Sequence, residues 1–174
     1  MPITVILGGA RSGKSRHGES LALSLNDNPI YVATAPLIEN DHEWLQRIER
    51  HRHERGDHWQ LIEEELALAS TLSKHAVSGN VVLVDCLTLW ISNLIFAGRD
   101  INEEVEQLCE LLPKLSGNVI LVANEVGMGV VPEAPEGRLF RDAQGRLNQQ
   151  VAAIADRVEF IAAGLPICLK GDKK

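Results

Sequence analysis

The sequence predicts an α/β fold in which a mostly parallel sheet is covered by helices on both faces. Three observations support this prediction. Apolar, strand-like runs alternate with helical stretches along the chain, as in βαβ units. The runs are continuously apolar rather than alternating, which is typical of strands that are buried on both faces. A glycine-rich loop joins the first run to the first helix. The 174 residues contain no linker-like segment, so a single domain over residues 1–174 is expected.

The predicted elements follow from apolar patterning and from the residues that flank each run. The strands are residues 3–7, 30–34, 81–84, 119–123 and 158–162. The helices are residues 15–25, 41–55, 64–75, 87–96, 103–115 and 147–155. Residues 126–137 are rich in glycine and proline and are predicted to form a long loop. Long loops in compact domains are often functional, although a surface crossover fits the composition equally well.

The loop between the first strand and the first helix carries the clearest functional motif. Residues 8–15 read Gly-Gly-Ala-Arg-Ser-Gly-Lys-Ser and match the phosphate-loop pattern Gly-x4-Gly-Lys-Ser/Thr. Glycines let the backbone curl so that its amide groups and the positive end of the helix dipole point at one anion. We expect Lys14 to reach the β- and γ-phosphates and Ser15 to bind Mg²⁺. The predicted phosphate-binding residues are Gly8, Gly9, Ala10, Arg11, Ser12, Gly13, Lys14 and Ser15.

An acidic residue ends the third predicted strand. Asp85 directly follows the apolar run 81–84. In phosphate-loop proteins an acid at this position helps to hold Mg²⁺, either directly or through water. An acid that ends a strand is also a common cap for the next helix. The phosphate loop upstream favours the metal-binding role.

A basic stretch, residues 41–55, is predicted to form an amphipathic helix with a candidate nucleophile. At about 100° per residue, His51 shares one stripe with Trp44 and Ile48, on the side that packs against the protein. Arginines near this stripe could bind phosphates and favour a neutral, nucleophilic imidazole. Spacing alone favours a plainer interpretation, in which His51 is a boundary residue on a helix with solvated charges.

Composition limits the partners and the compartment. A net charge of −7 and a pI of about 5.4 argue against nucleic acid as the main partner, because binding its backbone needs a basic surface. Three widely spaced cysteines favour a reducing compartment, the cytoplasm, and Cys86 is predicted to be a core residue. No apolar run approaches the roughly 20 residues that a membrane helix needs. Surface or cap positions are predicted for His17, His42, His58 and His75.

Several segments, taken in order, resemble one family. They are residues 8–15, Arg47-Ile48 with His51-Arg52, Trp59, residues 84–90, Asn93-Leu94, residues 124–132, Arg138, Phe140-Arg141-Asp142, Gly145-Arg146 and Asn148-Gln149. Almost end to end, the chain resembles the bifunctional adenosylcobinamide kinase/adenosylcobinamide-phosphate guanylyltransferase family of cobalamin biosynthesis. The segment Asn-Glu-Val-Gly-Met-Gly-Val-Val-Pro at 124–132 is far more specific to this family than the phosphate loop.

The resemblance implies a RecA-like phosphate-loop domain that catalyses two reactions. In the first, a nucleoside triphosphate, ATP or GTP, phosphorylates the hydroxyl of the aminopropanol arm of adenosylcobinamide. In the second, GTP donates GMP to a histidine and releases pyrophosphate. The GMP then passes to adenosylcobinamide phosphate, and the product is adenosylcobinamide-GDP. The resemblance also implies a homotrimer with sites near the subunit interfaces.

The resemblance also assigns site residues. By match to the family's Arg-Ile-x-x-His-Arg segment, His51 is the nucleophile, and Lys14 is counted with it as catalytic. The residues that it places around GTP are Thr34, Ala35, Arg52, His53, Glu54, Arg55, Glu63 and Asp85. Two other functions remain open at this stage. One is a simple small-molecule kinase without a covalent nucleotide. The other is a GTP-dependent switch, which the absence of a guanine-reading Asn-Lys-x-Asp element disfavours.

Overall fold

The structure is a computed structural model that describes residues 2–36, 46 and 58–171. Within these residues most of the strands are separated by helices, and the last two described strands form a hairpin. In chain order the elements are β1 (Ile3–Gly8), α1 (Lys14–Leu25), β2 (Ile30–Ala33), β3 (Gln60–Glu63), α2 (Leu68–His75), β4 (Val81–Asp85), α3 (Leu87–Phe96), α4 (Ile101–Leu111) with a 3-10 turn (Leu112–Lys114), β5 (Asn118–Asn124), α5 (Pro135–Ile154), β6 (Arg157–Ala162) and β7 (Leu165–Lys170).

The described strands form one seven-stranded sheet in the order β3-β2-β4-β5-β1-β6-β7. Every neighbouring pair is parallel except β6 and β7, which form an antiparallel hairpin. Parallel strands place their carboxyl ends at the same edge of a sheet, and ligands commonly bind there. Gly8 pairs with Asn124 and Asp85 pairs with Ala33 at this edge. The phosphate-loop motif and the acidic residue therefore leave the sheet on the same side.

Helices cover both faces of the sheet, as predicted. Alternate residues of β1 point to opposite faces, so that Val5 joins one core cluster and Ile6 the other. Helix α1 packs against the face of Ile6, and its Gly18 allows a close approach, since a Cβ there would lie 3.1 Å from Leu83 Cδ1. Helices α2 to α5 contribute to the larger cluster around Val5. The predicted α/β class with a mostly parallel sheet is confirmed.

The predicted strands agree with the structure to within two residues at each end, whereas several helix and loop boundaries were wrong. The helix predicted at 64–75 begins only at Leu68, because the Glu64 carboxylate accepts hydrogen bonds from the backbone amides of Leu66 and Ala67 and caps the turn. The last helix begins at Pro135 rather than 147, so the loop predicted at 126–137 is shorter. Proline at the first helical position suits its fixed φ angle.

Two strands were not predicted, and one predicted helix lies outside the described residues. Strands β3 and β7 occupy the two edges of the sheet and are largely exposed, so they lack the continuous apolar run that marks the others. The helix predicted at 41–55 lies outside the described residues except for Gln46. None of the helices described here combines the length and the apolar character required to cross a membrane.

Candidate nucleotide-binding site

The phosphate-loop motif forms a closed turn between β1 and α1. Two of its residues adopt left-handed backbone conformations, Arg11 with φ 56° and Gly13 with φ 95°. The Ser12 amide donates to the Gly9 carbonyl at 3.3 Å and closes the turn. Lys14 Nζ also donates to the Gly9 carbonyl, at 3.3 Å, so its ammonium group lies at the loop. Helix α1 begins at Lys14, and the positive end of its dipole therefore points into the same loop.

The β6–β7 turn supports this loop from behind, a contact that sequence patterns did not indicate. The amide of Gly164 donates to the Ser12 carbonyl at 2.8 Å. A Cβ at Gly13 would lie 3.3 Å from the Gly164 Cα, so the two glycines pack backbone to backbone. A Cβ at Gly8 would lie 2.7 Å from the Ile161 carbonyl oxygen. The loop is therefore held in shape by β6 and the turn that follows it.

A buried carboxylate ties the first turns of α1 to β6. Glu159 is 3% exposed, and its Oε2 lies 2.7 Å from His17 Nε2. Its Oε1 accepts a hydrogen bond of 2.6 Å from the Arg157 guanidinium. Burial alone would raise the pKa of Glu159, but hydrogen bonds and charge from His17 and Arg157 outweigh burial and leave the pKa below its ordinary value. His17, which was predicted to be a surface or cap residue, is half-buried and pairs with this carboxylate.

Asp85 lies at the same edge of the sheet, two strands from the phosphate loop. Strand β5 separates β4 from β1, so these two strands are about 10 Å apart at the ordinary strand spacing. The Tyr31 hydroxyl donates to Asp85 Oδ2 at 2.9 Å, and the Trp59 ring packs edge-on against Tyr31. Among the described residues, nothing donates a hydrogen bond to Asp85 Oδ1. Within the described part of the chain, one carboxylate oxygen is thus fixed and the other accepts no hydrogen bond.

Thr34 connects the ends of β2 and β4. It is fully buried, and its hydroxyl both accepts from the Cys86 amide and donates to the Cys86 carbonyl, each at 2.8 Å. Asn93 Nδ2 donates to the Thr34 carbonyl at 2.8 Å. Both functions of the hydroxyl are therefore used within the protein. Its neighbour Ala35 is half-buried, and Glu63 is exposed at the carboxyl end of β3, next to the same edge.

The Cys86 thiol is a core group rather than a nucleophile. It is buried next to Asp85, and burial together with the negative charge of Asp85 raises the pKa of the thiol to about 11. A thiol with this pKa is protonated at neutral pH and is a poor nucleophile. The prediction that Cys86 is a core residue is confirmed.

The loop between β5 and α5 (residues 125–134) is anchored at both ends. The Glu125 amide donates to the Gly8 carbonyl at 3.1 Å, and the Glu125 carboxylate accepts from the Gly127 and Met128 amides at 2.7 and 3.0 Å. At the other end the Arg138 guanidinium donates to the Pro132 carbonyl at 3.1 Å. Three apolar side chains nevertheless point into solvent, namely Met128, Val130 and Val131. This exposed apolar loop begins directly beside the phosphate loop.

The predicted nucleophile lies outside the described residues, with its neighbours. His51, Arg52, His53, Glu54 and Arg55 all fall within residues 47–57, whose structure is not described. Their assigned roles stay predictions. The structure brings together the phosphate loop, Asp85 and Thr34 at one edge of the sheet, with Ala35 and Glu63 at the ends of adjacent strands.

Comparisons with known proteins agree with this geometry. A family model described as cobinamide kinase / cobinamide phosphate guanyltransferase matches residues 4–169. The chain is 47% identical over 170 residues to the bifunctional adenosylcobalamin biosynthesis protein CobP of Pseudomonas aeruginosa, with 97% of each chain covered. It is 38% identical over 181 residues to the bifunctional adenosylcobalamin biosynthesis protein CobU of Escherichia coli, covering 95% of this chain and 98% of that relative.

Likeness to solved structures supports the fold alone. A solved ATPase domain superposes with a TM-score of 0.50 at 14% sequence identity, covering 91% of this chain and 68% of that chain. This likeness agrees with the expected RecA-like phosphate-loop class. The family match extends over nearly the whole chain, and the phosphate loop has the shape that the motif predicts. This protein therefore belongs to the cobinamide kinase / cobinamide phosphate guanyltransferase family.

Proposed function

We propose that this protein phosphorylates adenosylcobinamide with a nucleoside triphosphate and then transfers GMP from GTP to the product, giving adenosylcobinamide-GDP. The observation that carries the proposal is a preformed phosphate loop in a member of this family. A closed loop at a helix N-terminus, with a lysine beside it, supplies backbone amides and positive charge to a triphosphate. Both half-reactions need a triphosphate held in this way, since each is an in-line displacement at phosphorus.

In the kinase half-reaction, the loop amides and Lys14 hold the triphosphate and take up charge as the terminal phosphoryl group moves. Ser15 and Asp85 would hold Mg²⁺, which when bound neutralises charge on the phosphate oxygens. Both offer hard oxygen ligands, and Asp85 Oδ1 carries no competing hydrogen bond from the described residues. The described part of the chain holds no group of three or more histidine, cysteine and carboxylate ligands. This fits Mg²⁺, which phosphates and waters largely coordinate.

In the guanylyltransferase half-reaction, the proposed nucleophile is His51. Its imidazole attacks the α-phosphate of GTP, a phosphorus–nitrogen bond forms, and pyrophosphate leaves. The phosphate oxygen of adenosylcobinamide phosphate then attacks the same phosphorus and releases the histidine. Arg52 and Arg55 would stabilise the charge on the phosphates. Around GTP we place Ala35, His53, Glu54, Glu63 and Asp85, with Thr34 fixing the strand ends behind them.

The exposed apolar loop is the proposed surface for the corrinoid. Val130 is 94% exposed, Met128 82% and Val131 56%, although such side chains are ordinarily covered. The Glu125–Gly8 hydrogen bond fixes the start of this loop beside the phosphate loop. A corrinoid macrocycle resting on the loop would keep its short aminopropanol arm within reach of the terminal phosphate.

The proposed assembly is a homotrimer, and the proposed compartment is the cytoplasm. On the edge strand β7, Leu165, Ile167 and Leu169 alternate along one face and are 51–69% exposed. An exposed apolar edge strand invites pairing, and a second copy of the chain would cover it. Light scattering on the purified protein tests the trimer.

The described cysteines all carry free thiols, which suits a reducing compartment.

Intact-mass analysis after incubation with GTP and Mg²⁺ tests the proposed function. The protein should gain the mass of one GMP, in a bond that is labile in acid and stable in base, as expected of a phosphoramidate. His51→Ala should abolish the adduct. His53→Ala should still form the adduct, because His53 would point about 160° away from His51 on an ideal helix. His58→Ala is the control outside the proposed site, since His58 is exposed, and it should also retain the adduct. An adduct that persists in His51→Ala identifies a different nucleophile, and no adduct in the unaltered protein favours a simple kinase.

A further inference from the structure

Asn124 occupies the position between the phosphate loop and Asp85. It ends β5, the strand that lies between β1 and β4. Its register partner on one side is Gly8, the first residue of the phosphate loop. On the other side Asp85 pairs with Val122, two residues earlier on the same strand. The end of β5 is therefore flanked by the two groups proposed to hold the triphosphate and its metal.

Two buried polar side chains hold the backbone of Asn124, and a third holds one of these two. Thr88 Oγ1 accepts from the Asn124 amide at 2.7 Å, and Asn148 Nδ2 donates to the Asn124 carbonyl at 3.0 Å. Gln144 Nε2, which is fully buried, in turn donates to Asn148 Oδ1 at 2.8 Å. Burying polar side chains costs free energy unless they are paired. Here the paired side chains hold the main chain of Asn124 at the edge of the sheet. The amide of the next residue, Glu125, donates to the Gly8 carbonyl.

The side-chain amide of Asn124 is the part that this arrangement leaves without a partner. Its Oδ1 is buried and accepts no hydrogen bond from the described residues. An unpaired oxygen alone does not define a site, because Asn118 Oδ1 at the opposite end of β5 is also buried and unpaired. What distinguishes Asn124 is its place beside the phosphate loop. The Nδ2 of the same amide is not buried in this way and donates to none of the described residues, so it can offer a hydrogen bond to a ligand.

We propose that Asn124 is a catalytic residue of the kinase half-reaction, a role that rests on the function proposed above. Its amide N–H donates to an oxygen of the terminal phosphoryl group, while its carbonyl oxygen stays buried in the protein. The substrate oxygen forms a bond to the γ-phosphorus as the bond to the nucleoside diphosphate breaks. The hydroxyl proton leaves with solvent, and Asn124 neither gains nor loses a proton. The residue positions the terminal phosphoryl group and stabilises it during the transfer.

Steady-state kinase kinetics of Asn124→Ala, Asn124→Asp and the control Asn118→Ala test this role. Removing one donor to a transition-state oxygen costs about 100-fold to 1,000-fold in kcat, and we expect a loss of this size for Asn124→Ala. Its nucleotide Kd should change by less than about threefold, and its melting temperature by no more than about 2 °C, because the side chain makes no hydrogen bond in the described structure. Asn124→Asp keeps the shape but removes the donor and should be equally slow. Asn118→Ala should stay within about twofold of the unaltered protein.

The outcomes separate this proposal from the function that it rests on. If the unaltered protein forms no phosphorylated product, the proposed function fails. If it does and Asn124→Ala retains kcat within threefold, the catalytic role of Asn124 is wrong. If the kcat loss comes with a lowered melting temperature, and the lowering is the same in both Asn124 variants, Asn124 has a structural role and the proposal is overturned. The same conclusion follows if Asn118→Ala shows the same kcat loss.

Discussion

Replacing Gly8 by alanine tests the packing that holds the phosphate loop. The added Cβ would lie 2.6 Å from Ser12 Oγ and 2.7 Å from the Ile161 carbonyl oxygen, distances below the 3.0 Å that real Cβ atoms keep. The Ser12 side chain can rotate away, but the Ile161 carbonyl is main chain of β6, which is paired with a strand on each side. Overpacking of this kind costs about 1–3 kcal/mol. In a chain of this size each kcal/mol lowers the melting temperature by about 2–4 °C, so a decrease of about 2–12 °C is expected.

Thermal unfolding without nucleotide, followed by circular dichroism, measures this effect. Gly9→Ala is the matched control in the same loop, because a Cβ at Gly9 meets nothing within 4 Å. Its melting temperature should stay within about 1–2 °C of the unaltered protein. Equal melting temperatures for Gly8→Ala and Gly9→Ala would refute the packing of the loop against β6.

Three further variants test the site. Lys14→Ala should greatly weaken both half-reactions, since both need an anchored triphosphate; near-normal rates in separate kinase and guanylyl-transfer assays would contradict the assignment. Asp85→Asn should raise the Mg²⁺ concentration needed for half-maximal rate, because a hard cation loses a negative ligand; an unchanged Mg²⁺ titration would limit Asp85 to a structural role. The lowered pKa of Glu159 contributes stability that is present above its unfolded pKa of about 4.3 and is lost as pH falls through the folded pKa. Unfolding free energies of Glu159→Gln measured against pH should therefore fall less steeply in acid than those of the unaltered protein, and parallel curves would argue against the contacts of Glu159 with His17 and Arg157.

The central strands could be predicted because their burial on both faces leaves a continuous apolar signal. Strand β1 reads Ile-Thr-Val-Ile-Leu-Gly, and all six residues are buried. Strands β3 and β7 lie at the edges and are exposed, so their sequences resemble surface segments. The start of α5 was missed because Gly137 and Gly145 interrupt the apolar spacing that predicts a helix. Edge strands and glycine-containing helices depend on tertiary contacts that a local pattern does not contain.

The same distinction between local patterns and tertiary contacts applies to the site. The phosphate loop and Asp85 could be predicted because each is a short motif at the end of an apolar strand. The pairing of His17 with Glu159 joins residues 142 positions apart, and the Thr34–Cys86 hydrogen bonds span 52 positions. Such contacts exist only once the sheet order is known. The hydrogen bonds that hold the Asn124 backbone are of the same kind, since Thr88 comes from α3 and Asn148 from α5.

The most direct test of the central claim is the conversion of adenosylcobinamide by the purified protein, followed by mass spectrometry over time. With ATP, GTP and Mg²⁺, adenosylcobinamide phosphate should appear first and adenosylcobinamide-GDP should follow as the phosphate is consumed. With ATP alone, the reaction should stop at the phosphate. Accumulation of the phosphate without any GDP product in the presence of GTP would leave only a kinase, and no change in the corrinoid mass would contradict both activities.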